Sequence, residues 1–95
     1  PVVRSHSISI TAIFEKDPSV EDARKTFEGR RGIRLVDDPQ KALYPVPLGT
    51  TGNDDCEVGR IRKDQVLPNA LALWVVGDQI KKGAALNAVQ IAEIL

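Results

Sequence analysis

The strongest hydrophobic pattern of the chain lies near its end, at residues 69–76. Apolar side chains occupy both pleat faces of this stretch, with Leu71 and Leu73 on one face and Trp74 on the other. A strand that is apolar on both faces needs cover on both sides. The pattern therefore predicts a buried, central strand.

A turn and a helix are predicted directly after this strand. Gly77 ends the apolar run, and Asp78 is placed to be the N-cap of the helix. Gln79 then lies in the first turn, where unpaired backbone N–H groups and the positive end of the helix dipole can meet a polar or anionic ligand.

The closing helix, residues 80–95, has an unusual distribution of apolar side chains. At ~100° per residue, most of them fill one half of the helical wheel, and its several alanines would let a neighbour approach closely. Leu86 and Ile94 lie on the otherwise polar half. They indicate either a second partner surface or two isolated exposed residues, and the pattern leaves both interpretations open.

The first third of the chain predicts an extended segment and then a helix. Residues 1–15 are extended, and apolar and polar side chains alternate from Ser7 as in a half-buried strand. Residues 20–28 carry an amphipathic helical stripe, and Ser19 before them is a favourable N-cap.

The middle of the chain contains two further predicted strands and a long connection. Residues 33–36 form a short strand, and residues 42–53 are a connection rich in proline and glycine. Residues 56–62 form a strand whose apolar phase shifts around Gly59, which indicates a β-bulge. The order of elements predicts an α+β fold: a mostly antiparallel sheet with helices on one face.

Composition narrows the class of protein. Ninety-five residues with 13 basic and 13 acidic side chains make one small domain of zero net charge, which argues against a nucleic-acid surface. No apolar run reaches the ~18 residues of a membrane span, and a single cysteine favours a soluble, reducing, cytoplasmic setting. The chain lacks methionine and begins as if inside a strand, so we expect a fragment of a longer chain.

Few side chains offer chemistry. His6 is the only histidine and can serve as a general acid or base, although spacing alone favours an ordinary strand residue. Asp37 and Asp38 have no third ligand at a suitable spacing, so no metal site is predicted. Cys56 lies in a predicted strand with no histidine near it in sequence, and is interpreted as a small core or interface residue rather than a nucleophile.

Four strings of residues resemble the C-terminal part of aspartate-semialdehyde dehydrogenase, and they occur in that family's order. They are residues 4–7 (RSHS), 59–64 (GRIRKD), 73–79 (LWVVGDQ) and 82–93 (KGAALNAVQIAE). With the loop at residues 44–48, the resemblance covers essentially the whole chain.

The resemblance implies a fold, an activity and partners. Members of the family reduce L-aspartyl-4-phosphate with NADPH to aspartate 4-semialdehyde and phosphate, for the synthesis of lysine, methionine and threonine. Residues 1–77 would be part of a catalytic and dimerisation domain like that of glyceraldehyde-3-phosphate dehydrogenase. Residues 78–95 would return to an NADP-binding Rossmann domain that is absent from this chain. A homodimer or tetramer would form through the sheet.

The resemblance also implies roles for two residues. His6 matches the acid/base histidine, and Gln79 matches a residue that contacts NADP from the end of the last strand. The nucleophilic cysteine and the glycine-rich dinucleotide loop have no counterpart here, and Cys56 falls after the histidine rather than before it. The 95 residues alone are therefore expected to be inactive. The alternative from another class of protein is a non-catalytic α+β oligomerisation or regulatory module.

Overall fold

The computed structural model describes residues 2–94, so the predictions for Pro1 and Leu95 lie outside the described residues. These described residues form one four-stranded sheet with three α-helices. The elements are β1 (His6–Ile13), α1 (Val20–Phe27), β2 (Ile33–Leu35), α2 (Pro47–Thr50), β3 (Cys56–Lys63), β4 (Ala70–Gly77) and α3 (Leu86–Ile94). The predicted α+β class is confirmed.

The sheet has the strand order β1-β4-β3-β2, so the strand with apolar side chains on both faces is central. β4 pairs antiparallel with β1 on one side, where His6 lies opposite Gly77, and antiparallel with β3 on the other. β2 joins the outer edge of β3 in the parallel direction. The sheet is thus mostly antiparallel, as predicted, with one parallel pair.

The predicted bulge is confirmed in β3. The register against β4 shifts between Gly59 and Arg62, and Arg60 takes a positive φ of 53°. The bulge turns two backbone N–H groups away from the ladder, and the carboxylate of Asp37 accepts both, from Arg60 at 2.7 Å and from Ile61 at 3.3 Å. Arg24 of α1 donates to the same carboxylate at 2.8 Å, so one buried aspartate joins the helix to the bulge.

α1 covers one face of the sheet. Ser19 caps its start by accepting the N–H of Asp22 at 3.3 Å, and Gly29 follows its end with a positive φ of 68°. The helix packs on a core of three buried side chains, Val58, Ile61 and Leu71. The amphipathic stripe read from the sequence is the face that makes this contact.

The connection after β2 covers the opposite face and contains the short helix α2, which the sequence analysis did not predict. A Cβ atom at Gly59 would lie 2.0 Å from the carbonyl oxygen of Val36 and 2.6 Å from Pro45, so glycine alone allows this close approach. The buried Thr50 of α2 donates its hydroxyl to Glu57 of β3 at 2.7 Å. A buried carboxylate is thereby hydrogen-bonded rather than left without a partner.

The closing segment differs from the single α-helix predicted for residues 80–95. It begins as a π-helix at Lys81–Ala85 and becomes the α-helix α3 only at Leu86. Hydrogen bonds five residues apart, from Gly83 N to the Asp78 carbonyl and from Ala85 N to that of Ile80, produce the wider turn. A glycine at this point weakens the narrower α-helical winding.

α3 packs little against the sheet and the other helices. None of its residues is buried, and Ile94 is 80% exposed. Arg31 donates to Glu93 at 2.8 Å, in an ion pair that is itself exposed. Among residues 2–94, no helix combines the length and apolar character that crossing a membrane requires.

Candidate active site

The two residues that carry the expected chemistry, His6 and Gln79, lie at the same end of the sheet. His6 is the first residue of β1 and pairs with Gly77, the last residue of β4, so the turn that contains Gln79 begins beside it. The side-chain oxygen of Gln79 accepts the backbone N–H of Ser5 at 2.8 Å. The histidine and the glutamine are therefore joined through one intervening residue.

A small cavity of about 130 Å³ opens between these elements. His6 and Gln79 both line it, and the side chain of His6 is exposed. The other lining residues are Ile8, Cys56, Val75, Gly77, Asp78, Lys82 and Gly83. Strand ends, a turn and the π-helical segment thus border one small open space, whose lining surface is mostly apolar.

Ser5 is the buried residue that precedes the histidine. It is 1% exposed and has a positive φ of 67°, which residues with a side chain seldom adopt. Its hydroxyl lies 2.9 Å from that of Thr51, which donates its own hydrogen to the carbonyl of Pro47 at 2.8 Å. Because the hydrogen of Thr51 is used in that bond, the hydroxyl of Ser5 is the donor to Thr51.

Asp78, the predicted N-cap, lies two residues before the N-cap position of the helical segment, which is Ile80, and it caps the turn that precedes the helix. One carboxylate oxygen accepts the N–H groups of Ile80 at 2.8 Å and Lys81 at 3.3 Å, and the other accepts the N–H of Gly52 at 2.8 Å. The hydrogen bonds from Gly52 and Ile80 lower the pKa of Asp78 below its usual value, although burial opposes them. Asp78 therefore remains a carboxylate at neutral pH and holds two turns together.

Cys56 belongs to the cavity, which the sequence analysis did not foresee. It is the first residue of β3, and its sulfur lies so close to Gly77 that a Cβ there would approach it to 2.8 Å. Burial raises the pKa of the Cys56 thiol, while the nearby Lys82 opposes this effect. The thiol is therefore protonated at neutral pH, in line with a packing role rather than that of a nucleophile.

Lys82 also lines the cavity, which its position on the mostly polar half of the predicted helical wheel did not indicate. Its ammonium group donates to the side-chain oxygen of Gln90. It also approaches the backbone of Gly32, where a Cβ atom would lie 2.8 Å away. The π-helical winding of residues 81–85 changes the direction of this side chain relative to the α-helix expected, so no sequence signal was available.

The two adjacent aspartates of the middle segment have structural roles. Asp37 accepts the N–H groups of the bulge, and Asp38 accepts those of Gln40 and Lys41 at 3.1 and 3.3 Å. Across residues 2–94, no group of three or more histidine, cysteine, aspartate or glutamate side chains is arranged to hold a metal ion.

The cavity is too small to hold a whole nucleotide cofactor. The Gln79 oxygen is used by Ser5, whereas its NH₂ group makes no hydrogen bond within residues 2–94 and can donate to a ligand amide or phosphate. A volume of about 130 Å³ is well below the ~300–1,000 Å³ typical of a complete ligand site. A dinucleotide would need a further binding surface.

Comparisons with known proteins give one consistent result. The family model described as semialdehyde dehydrogenase, dimerisation domain, matches residues 1–82. The aspartate-semialdehyde dehydrogenase of Prochlorococcus marinus is 54% identical over 95 residues, which is 100% of this chain and 28% of that protein. The crystal structure of aspartate semialdehyde dehydrogenase II from Vibrio cholerae superimposes with a TM-score of 0.87 at 35% identity, covering 99% of this chain and 28% of that one.

A second structure of the Vibrio cholerae protein, complexed with ASA, also has a TM-score of 0.87 and covers 99% of this chain and 27% of that one. This chain thus spans little more than a quarter of the length of the relatives it matches.

Proposed function

The chain belongs to the aspartate-semialdehyde dehydrogenase family, and from this premise we propose that it works as the C-terminal portion of an NADPH-dependent enzyme. That enzyme reductively dephosphorylates L-aspartyl-4-phosphate to L-aspartate 4-semialdehyde in the cytoplasm, for the biosynthesis of diaminopimelate, lysine, methionine and threonine. The match of residues 1–82 to the family model and the 54% identity over the whole chain support this proposal.

The observation that carries the proposal is the hydrogen bond between Gln79 and the backbone of Ser5. It links the residue that matches the family's cofactor contact to the residue before the acid/base histidine. In this arrangement His6 accepts a proton from the nucleophilic thiol of the rest of the enzyme and later returns a proton during the reaction. NADPH, when bound, supplies the hydride, and the NH₂ group of Gln79 helps to hold its nicotinamide end.

Two exposed apolar surfaces support the expected partners. α3 has no buried residue, and this agrees with residues 78–95 packing on an NADP-binding domain outside this chain. β1 is an edge strand whose apolar side chains Ile8 and Ile13 are 52% and 68% exposed, and an edge of this kind suits pairing within a homodimer or tetramer. Residues 1–77 would then supply the subunit interface as well as His6.

Replacement of His6 in a full-length enzyme that contains this segment tests the proposal. His6→Gln should lower kcat by about 10²- to 10⁴-fold, the usual contribution of a general acid/base, with little change in the KM for NADPH. Ser9→Ala, an exposed residue of the same strand, is the matched control and should retain the parent kcat. An enzyme that keeps full turnover without His6 would contradict the proposed role.

The 95 residues alone should not reduce NADP⁺ when aspartate 4-semialdehyde and phosphate are supplied as substrates, because the nucleophile and the dinucleotide-binding loop have no counterpart in the sequence. Turnover by the purified segment that depends on His6 would contradict this expectation. A full-length chain that forms oligomers but shows no turnover would instead favour the non-catalytic module.

A further inference from the structure

The residue directly before β1 is buried, and its backbone is held in an unfavourable conformation. Ser5 combines 1% exposure with a positive φ of 67°, and its successor is His6. A residue with a side chain keeps such a conformation only where its surroundings impose it. The backbone conformation of Ser5 sets the direction in which the chain enters β1. It therefore also sets the position from which the side chain of His6 extends.

Two hydrogen bonds from different segments hold Ser5. Gln79, in the turn after β4, accepts its backbone N–H at 2.8 Å. Thr51, directly after α2, accepts its hydroxyl hydrogen over 2.9 Å, the direction that the bond from Thr51 to Pro47 requires. Both hydrogen-bond donors of Ser5 therefore have a partner: the backbone N–H binds Gln79, and the hydroxyl binds Thr51.

The two anchors are themselves connected. Asp78, the neighbour of Gln79, accepts the N–H of Gly52, the neighbour of Thr51, at 2.8 Å. The hydrogen bonds and the chain together form a closed ring that runs through Ser5, Gln79, Asp78, Gly52 and Thr51. A closed ring restrains Ser5 more firmly than either anchor alone, because displacement of one member disturbs the others.

We propose that this ring is a positioning device for His6, with Ser5 and Thr51 as positioning residues. The ring connects the turn that contains Gln79 to the strand that contains the acid/base residue His6. The position of the imidazole relative to the Gln79 side chain is therefore fixed. The Thr51 hydroxyl bonds to Ser5 and to the Pro47 carbonyl, and Thr51 does not line the cavity of His6. The inference rests on the proposed function and adds residues for which the family resemblance gives no role.

Thr51→Val tests the device in a full-length enzyme that contains this segment, because valine keeps the shape of threonine and removes the hydroxyl. Misplacement of a reacting group by about 1 Å costs up to ~10²-fold in rate, so kcat should fall by about 10- to 100-fold with the KM for NADPH unchanged. Thr51→Ser, which keeps the hydroxyl, should restore kcat. Thr26→Val on α1, where an exposed hydroxyl is likewise lost, is the matched control.

A double-mutant cycle separates positioning from a general loss of structure. If Thr51 acts through His6, Thr51→Val should lower kcat in the parent enzyme and have no further effect in the His6→Gln enzyme. A merely structural role would lower kcat by the same factor in both backgrounds. That result, or a folded Thr51→Val enzyme with the parent kcat, would overturn the inference.

Ser5→Gly provides the second variant if Thr51→Val fails to fold. Glycine adopts the positive φ without strain and retains the N–H donated to Gln79, so only the bond to Thr51 is lost. The same fall in kcat is expected, and an unchanged kcat would overturn the inference. A parent enzyme without NADPH-dependent turnover, or a fully active His6→Gln enzyme, would instead refute the proposed function itself.

Discussion

Gly59 is the point at which the long connection after β2 lies closest to the sheet, and Gly59→Ala tests that packing. The added Cβ would lie 2.0 Å from the Val36 carbonyl oxygen, where 3.0 Å is the shortest separation that real Cβ atoms show, so the carbonyl would have to retreat by about 1 Å. Val36 is held by its own N–H, which donates to the carbonyl of Val58 at 2.8 Å. Pro45, 2.6 Å from the same Cβ, is a buried and rigid ring.

The expected cost follows from these contacts. Overpacking in a core costs about 1–3 kcal/mol, and weakening the Val36–Val58 hydrogen bond adds about 1 kcal/mol. Alanine has a smaller conformational entropy than glycine in the unfolded chain, and this raises the free energy of unfolding by about 0.4–1 kcal/mol. These contributions sum to a net loss of about 2 kcal/mol, which would lower the midpoint of thermal unfolding by roughly 8–16 °C in a domain of this size.

Trp74 provides the assay, because it is the only tryptophan and pairs with Gly59 across the strands. Its emission should report unfolding of the purified segment by heat and by urea, with far-UV circular dichroism as a second probe. Gly77→Ala is the matched control: its Cβ would meet the movable side chain of Cys56 rather than backbone, so a cost below about 1 kcal/mol is expected. Equal unfolding midpoints for the Gly59→Ala and Gly77→Ala variants would refute the packing argument.

Three further predictions concern polar groups. Asp37→Asn should lower the free energy of unfolding by about 2–3 kcal/mol, because the 2%-exposed carboxylate serves the bulge and Arg24. The control is Asp17→Asn, at an exposed ion pair, which should lower the free energy of unfolding by less than about 1 kcal/mol. Equal urea midpoints for the Asp37→Asn and Asp17→Asn variants would contradict the reasoning. The Cys56 thiol should react with iodoacetamide more slowly at pH 7.5 than a solvent-exposed cysteine of pKa ~8.5, because burial raises its pKa; Cys56→Ser gives the background rate. The pKa of Asp78 is lowered in the folded state, so its stabilisation is present above the unfolded value of about 3.9 and is lost as the pH falls through the folded value. In the Asp78→Asn variant, the urea midpoint of unfolding should therefore fall less steeply as the pH is lowered below about 4. An equally steep fall in the variant and the parent would argue against this role of Asp78.

The elements with strong periodic patterns were predictable. Central β4, the alternating β1 and the capped α1 follow from side-chain period, and the phase shift at Gly59 indicated the bulge correctly. The parallel direction of β2, helix α2 and the π-helical turn were not predicted. Each of these depends on contacts between distant segments, such as the bond of Thr50 to Glu57, and local pattern carries no information about them.

The candidate site was predictable only in part. His6 and Gln79 were singled out by residue type and position and received their roles through family resemblance, whereas the strand pairing that brings them together was not determined by local pattern. Cys56 and Lys82 were missed because they reach the cavity across the sheet and from an irregular helical turn. Ser5 was missed because a serine beside a histidine gives no sign of its backbone conformation.

The pairing of β1 with β4 has a consequence for how the protein acquires its shape. Within residues 2–94, the strand that pairs with β1 is β4, and residues 14–69 are translated between the two. During synthesis β1 therefore leaves the ribosome with its isoleucines uncovered and waits for β4 to emerge. The His6 end of β1 is opposite Gly77, so the site is completed only after nearly all of the segment has been translated.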